Sequence, residues 1–215
     1  MVTLFLIVIY AAFISLGLPD SLLGVAWPVA QKEFGASLGD AGIISMVISV
    51  GTVVSSLFSS KLLKRFGVGK VTAVSVLMTA LALLGFSFVP AFVFMILLAI
   101  PLGLGAGAVD SGLNEYVAEH YESRHMSWLH CFWGIGATAG PYIMGLCLAR
   151  GLRWDSGYMS VGIIQVVLVA VLVLSLPLWK SKRASNAENA DAGEKIGIGE
   201  ALRLPGAKAV LASFF

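Results

Sequence analysis

Residues 92–117 read FVFMILLAIPLGLGAGAVDSGLNEYV. Phe92 to Val109 carry no charge, and the next residue is Asp110. As an α-helix rising ~1.5 Å per residue, such a run crosses a hydrocarbon core ~30 Å thick. Gly103, Gly105 and Gly107 let a second backbone approach closely, as packed membrane helices require. The stretch therefore predicts a transmembrane helix that carries one acid inside the membrane.

Five other stretches read the same way. The spans run from about Val2 to Val29, Gly42 to Leu63, Val71 to Phe88, Phe92 to Val117, Trp128 to Ala149 and Gly157 to Trp179. Hydrophobic residues make up 58% of the 215 residues and charged residues 12%, against roughly a quarter charged in soluble domains. So few charges cannot cover so much apolar surface in water, which excludes an ordinary soluble enzyme or binding module. The apolar runs are continuous, which excludes the alternating strands of a membrane β-barrel. The expected fold is all-α: a polytopic membrane protein with six transmembrane helices. Met1 to Gly17 lacks a basic leader and a small-residue cleavage site, so it is expected to remain as a helix.

The connections alternate in charge. Lys61, Lys64, Arg65, Lys70, Arg124, Lys180, Lys182 and Arg183 fall on one side, eight basic residues in all. Lys32, Arg150 and Arg153 fall on the other. The positive-inside rule puts the first side, and with it the amino terminus, in the cytoplasm of a cell bounded by this plasma (inner) membrane. Residues 1–179 are the expected six-helix bundle. Residues 180–199 are polar and small and are expected as a cytoplasmic linker. Residues 200–215 are expected as a surface helix followed by the opening of a seventh span, as in part of a longer carrier.

A short repeat joins spans one and four. Residues 17–23 read GLPDSLL and residues 107–113 read GAVDSGL, sharing G-x-x-D-S-x-L at an offset of 90 residues. Spans one and four would then open two three-helix units. An odd number of spans per unit makes the second unit inverted, a known transporter architecture.

Ionisable groups in hydrocarbon are costly, by roughly 2.5–3.5 kcal/mol on insertion scales, and are functional candidates by default. Asp20 and Asp110 are such groups, and each is a candidate for proton coupling or for a helix-packing hydrogen bond. Asn114 lies four residues after Asp110 on the same helix face and offers both donors and an acceptor. His130 and Trp133, three residues apart near the start of span five, add an imidazole and an indole. Asn114, His130 and Trp133 are the candidates for contact with solute. Gly103, Gly107, Gly136, Gly140 and Pro141 are candidates for helix packing or gating, and Pro19 and Pro101 can kink their helices. No HExxH site, histidine box or nucleophile with a placed base is present in the sequence, so neither a metal, a cofactor nor an enzymatic reaction is expected. Cys131 and Cys147 sit sixteen residues apart on one expected helix. That is about 24 Å, too far for a disulfide.

Two segments carry a resemblance. Gly136-Ala137-Thr138-Ala139-Gly140-Pro141 in span five is similar to the GxxxGP motif of the major facilitator superfamily. Ser60 to Lys70 resembles the superfamily's G-x-L-x-D-R-x-G-R-[KR] loop through Leu62, Arg65, Phe66 and Gly67. Lys64 stands where that motif is acidic, and Ser60 replaces its first glycine. The resemblance implies two six-helix halves around a central site, so the chain would be the amino-terminal half of a twelve-helix carrier. Asp20 in span one, Asp110 and Asn114 in span four, and His130 ahead of Ile135-Gly136 resemble the fucose–galactose–glucose:proton symporter branch. That branch implies proton coupling at Asp20 or Asp110 and sugar contact near Asn114 and His130. The alternative is a proton-coupled exporter of drugs or metabolites, which the GxxxGP segment also fits. The expected partners are a small solute, protons, the lipid bilayer and a carboxy-terminal half, with no nucleic acid.

Overall fold

The computed structural model describes residues 2–187. The elements in chain order are α1 (Val2–Gly17), α2 (Leu22–Phe34), a 3₁₀ turn (Leu38–Asp40), α3 (Ala41–Phe66), α4 (Val68–Phe86), α5 (Phe92–His120), α6 (Ser123–Ala149) and α7 (Trp154–Ala187). The described residues contain no strand. Six helical segments are long and apolar enough to cross a membrane, α1 and α2 together forming the first.

Two departures from the sequence reading stand out. The first span is not one helix. The chain leaves α1 after Gly17 and re-enters helix at Leu22. The four residues between are turned by bonds from Asp20 N–H to the Gly17 carbonyl (3.2 Å) and from Leu22 N–H to the Pro19 carbonyl (3.2 Å). Pro101, by contrast, lies inside an uninterrupted α5. The second departure is that α7 continues through Ala187. The first part of the segment expected as a linker is therefore helical. The remainder of that segment, and the surface helix and seventh-span opening expected over 200–215, lie outside the described residues.

The helices up to Trp179 form one compact unit. Within it α1 packs along α6, and α5 packs along both α3 and α4. Backbones meet directly at two seams. A Cβ on Gly136 or Gly140 of α6 would strike the carbonyls of Ile14 and Leu18. A Cβ on Gly103 or Gly107 of α5 would strike those of Ile48 and Thr52 in α3. In each seam two glycines four residues apart sit under two carbonyls four residues apart. One helical turn of glycine thus lies flat against one turn of its neighbour, which maximises dispersion contact where lipid supplies no hydrophobic drive.

The apolar core falls into two main clusters. One gathers Leu22, Trp27, Ile44, Phe86, Met95, Met144 and Tyr158 at the end where α3, α5 and α7 begin. The other gathers Phe5, Ile9, Phe13, Val109, Leu113, Leu129 and Trp179 at the opposite end. The break in span one lies between them. Outside the core, α3 exposes Met46, Val50, Val53, Leu57 and Phe58, and α7 exposes Ile163, Val167, Val173 and Leu174. Such apolar surface belongs in a bilayer, and the chain is a multi-pass membrane protein.

The connections are tight. Gly67 alone separates α3 from α4, at φ 84° and ψ 150°, a conformation open essentially to glycine. This accounts physically for Gly67 in the Ser60–Lys70 segment, whose other residues lie in α3 and α4. At the other end Trp27 Nε1 donates to the Ser37 and Leu38 carbonyls, both at 3.1 Å, and Ser37 N–H donates to Asp40 Oδ2 at 2.8 Å. There Arg153 pairs with Glu33 at 2.9 Å and with Asp155 at 2.8 Å. Asp155 and then Glu33 hold its guanidinium more firmly protonated than usual.

Candidate functional site

Asp20 sits on the turn between α1 and α2, exposed at the surface of the bundle. Its position follows from the local sequence. Pro19 has no N–H for the carbonyl of Ser15, and aspartate and serine side chains compete with the backbone for helix bonds. Asp20 Oδ2 accepts a hydrogen bond from Trp133 Nε1 of α6 at 2.8 Å. The Gly136–Gly140 seam brings α6 this close, since Gly17 lies directly against the Trp133 carbonyl.

Asp110 is half-buried on α5. Its Oδ1 accepts from Asn114 Nδ2, one turn on, at 2.9 Å. The Asn114 Oδ1 is buried and, among the described residues, has no donor. Asp110 interacts electrostatically with Asp20 and with His130. His130 is exposed, with its ring edge-on to Phe13 at 6.3 Å between centroids. The structure therefore brings Asp20, Asp110, Asn114, His130 and Trp133 together from three helical spans. Among the described residues no lysine or arginine forms an ion pair with Asp20 or Asp110.

Trp133 is 39% exposed, so the indole that holds Asp20 is only partly covered by the bundle. Pro141 lies inside α6, and the helix runs through it. The other two histidines have different surroundings. Tyr10 Oη lies 2.7 Å from His125 Nδ1, and His120 Nδ1 lies 2.8 Å from the Tyr116 carbonyl.

Sequence reasoning missed one polar group entirely. Gln165 of α7 is fully buried, donates from Nε2 to the Ser15 carbonyl at 2.7 Å, and accepts at Oε1 from Thr79 Oγ1 at 2.9 Å. Its signal was a lone amide in the otherwise apolar run from Gly162 to Leu174.

Comparison with known proteins bears on the same architecture. The sequence pattern of the Major Facilitator Superfamily matches residues 9–215. The chain is 27% identical to the 4-hydroxybenzoate transporter PcaK of Pseudomonas putida over 169 residues, 75% of this chain and 37% of that protein. It is 23% identical to the niacin transporter NiaP of Acinetobacter baylyi over 150 residues, 68% of this chain and 34% of that protein. It is 22% identical to the glucose/mannose transporter GlcP of Bacillus subtilis over 184 residues, 85% of this chain and 45% of that protein. The chain thus spans less than half the length of these curated relatives. With six spans among the described residues long and apolar enough to cross a membrane, and a pattern match over residues 9–215, the chain belongs to the major facilitator superfamily.

Proposed function

We propose that this chain supplies the amino-terminal half of a secondary transporter, one that moves a small polar solute with protons by alternating access. The carrying observation is the pair of carboxylates, Asp20 and Asp110, each hydrogen-bonded to a neutral donor and, among the described residues, neither ion-paired to a lysine or arginine. A carboxylate in the membrane without a lysine or arginine partner carries a charge that protonation can cancel. Proton and solute can then each bias the inward/outward equilibrium through their differential affinity for its two states. Asn114, with an acceptor left unpaired, and His130 and Trp133 on the exposed side of α6 are the groups proposed to meet the solute. A carboxy-terminal half would close the site from the other side.

A sugar is the solute this reading prefers, since the amide, imidazole and indole suit hydroxyls and a ring face. A second reading is an aromatic acid. Trp133 is exposed on α6 one turn from His130, and two relatives are named for 4-hydroxybenzoate and niacin. Radiolabelled glucose, 4-hydroxybenzoate and niacin should be offered to vesicles holding the full-length protein under an imposed proton gradient. One of them is expected to accumulate, and Asp110→Asn is expected to abolish that accumulation while leaving exchange across the membrane. Undiminished proton-driven accumulation by Asp110→Asn would remove the role given to Asp110.

A further inference from the structure

Pro19 takes one donor out of span one. In a continuous helix the N–H of residue 19 would bond the carbonyl of Ser15. Proline has none, Leu18 N–H is held by the Ile14 carbonyl at 3.1 Å, and Asp20 N–H turns to Gly17. An orphaned carbonyl in the membrane has no water to turn to. Gln165 supplies the replacement, with its Nε2 2.7 Å from that same Ser15 oxygen.

We infer that Gln165 is a positioning residue: its amide stands in for the N–H that Pro19 lacks, and so holds open the break that carries Asp20. The amide is itself fixed. Thr79 Oγ1 lies 2.9 Å from Gln165 Oε1, and a Cβ on Gly105 of α5 would collide with the Thr79 methyl and the Ser75 carbonyl. A line of direct contacts therefore runs from span one through Gln165 to α4 and on to α5, five residues before Asp110. Gln165 and Thr79 are both within the bundle core, 0% and 4% exposed, so water does not compete for these bonds. Among the carbonyls of α1, the amide takes the one that Pro19 leaves without its helical donor.

The test is a double-mutant cycle on the full-length protein, with Gln165→Leu and Pro19→Ala alone and together. Restoring an N–H at residue 19 gives the Ser15 carbonyl a local partner and makes Gln165 dispensable. Gln165→Leu is expected to lower the melting temperature by ~5 °C when Pro19 is present and by less than half of that in the Pro19→Ala background. An equal loss in both backgrounds, or no loss in either, overturns the inference. Should Gln165→Leu fail to accumulate, Gln165→Met takes its place. Should both fail, recovery of folded protein on adding Pro19→Ala supports the inference, and continued failure overturns it. A second readout separates positioning from packing. In a Cys131→Ser, Cys147→Ala background, Ser21→Cys reports the break by its rate of labelling with a membrane-impermeant maleimide. Gln165→Leu is expected to change that rate several-fold, and an unchanged rate sinks the positioning role. Neither readout requires transport, so both stand or fall apart from the function proposed for Asp20.

Discussion

Spans one and four carry the same G-x-x-D-S-x-L pattern but have different backbones. In span four the helix runs from Phe92 to His120 without a break, and Asp110 bonds to Asn114 on its own helix. In span one the helix stops at Gly17, and Asp20 bonds to Trp133 on another. The two segments differ at one telling position, where Pro19 in the first aligns with Val109 in the second. Proline alone does not explain the difference. Pro28, Pro101, Pro141 and Pro177 all sit inside helices that continue through them. What sets Pro19 apart is its company: Gly17 before it, Asp20 and Ser21 after it, and the Gln165 amide on the carbonyl it orphans. A break in a membrane helix persists where the freed backbone groups find other partners.

Exchanging the differing residues should break the comparison most sharply. Val109 is buried, and Gly105, whose carbonyl a proline at 109 would crowd, already touches the backbone of α4. Val109→Pro is expected to cost about 3 kcal/mol or more, read as loss of folded protein in membranes. Pro19→Val, the reverse exchange, is expected to leave the melting temperature nearly unchanged, because it restores a backbone donor where the helix is already open. An equal loss from both exchanges would show that the break is set elsewhere.

The seams offer a gentler contrast. A methyl on Gly107 meets the Thr52 backbone in the middle of α3, and a methyl on Gly140 meets the Leu18 backbone beside the break. Both substitutions overpack, within a range of ~1–3 kcal/mol. Gly107→Ala is expected near the top of that range and Gly140→Ala near the bottom, because a helix end yields more readily than a helix interior. Melting curves of the two variants in one detergent would show the order.

The smallest effects concern the carboxylate partners. Trp133→Phe removes the donor to Asp20 but keeps the ring, and is expected to cost about 1 kcal/mol. Asn114→Ala removes the donor to Asp110 and is expected to cost about 1 kcal/mol or less, the typical scale for polar contacts inside membranes. Labelling at Ser21→Cys should separate them further. Trp133→Phe is expected to raise the rate, because it frees a turn held from another helix. Asn114→Ala is expected to leave it unchanged.

The six spans were legible because length and continuous hydrophobicity are local properties of a chain. Five of the six apolar stretches fall on single helices, and the first falls on the two helices α1 and α2. The candidate residues were legible for a related reason: a charge or amide inside an apolar run has a cost that composition alone exposes. Asp20, Asp110 and Asn114 were found this way, and Gln165 could have been. The interruption of span one was less legible. The pattern around Pro19 permits a kink, and four other prolines in this chain permit the same without interrupting their helices.

By itself the sequence determined that six spans among the described residues are long and apolar enough to cross a membrane, and which few polar side chains those spans carry. Both follow from the cost of placing each residue in hydrocarbon, which is paid position by position. Only the tertiary structure decided which donor each buried acceptor receives. Trp133 reaches Asp20, and Gln165 reaches the Ser15 carbonyl 150 positions away, because glycine seams and the Thr79 contact set the helices at those distances. A hydrogen bond needs its partners within about 3 Å, and no local pattern along the chain specifies that separation between helices.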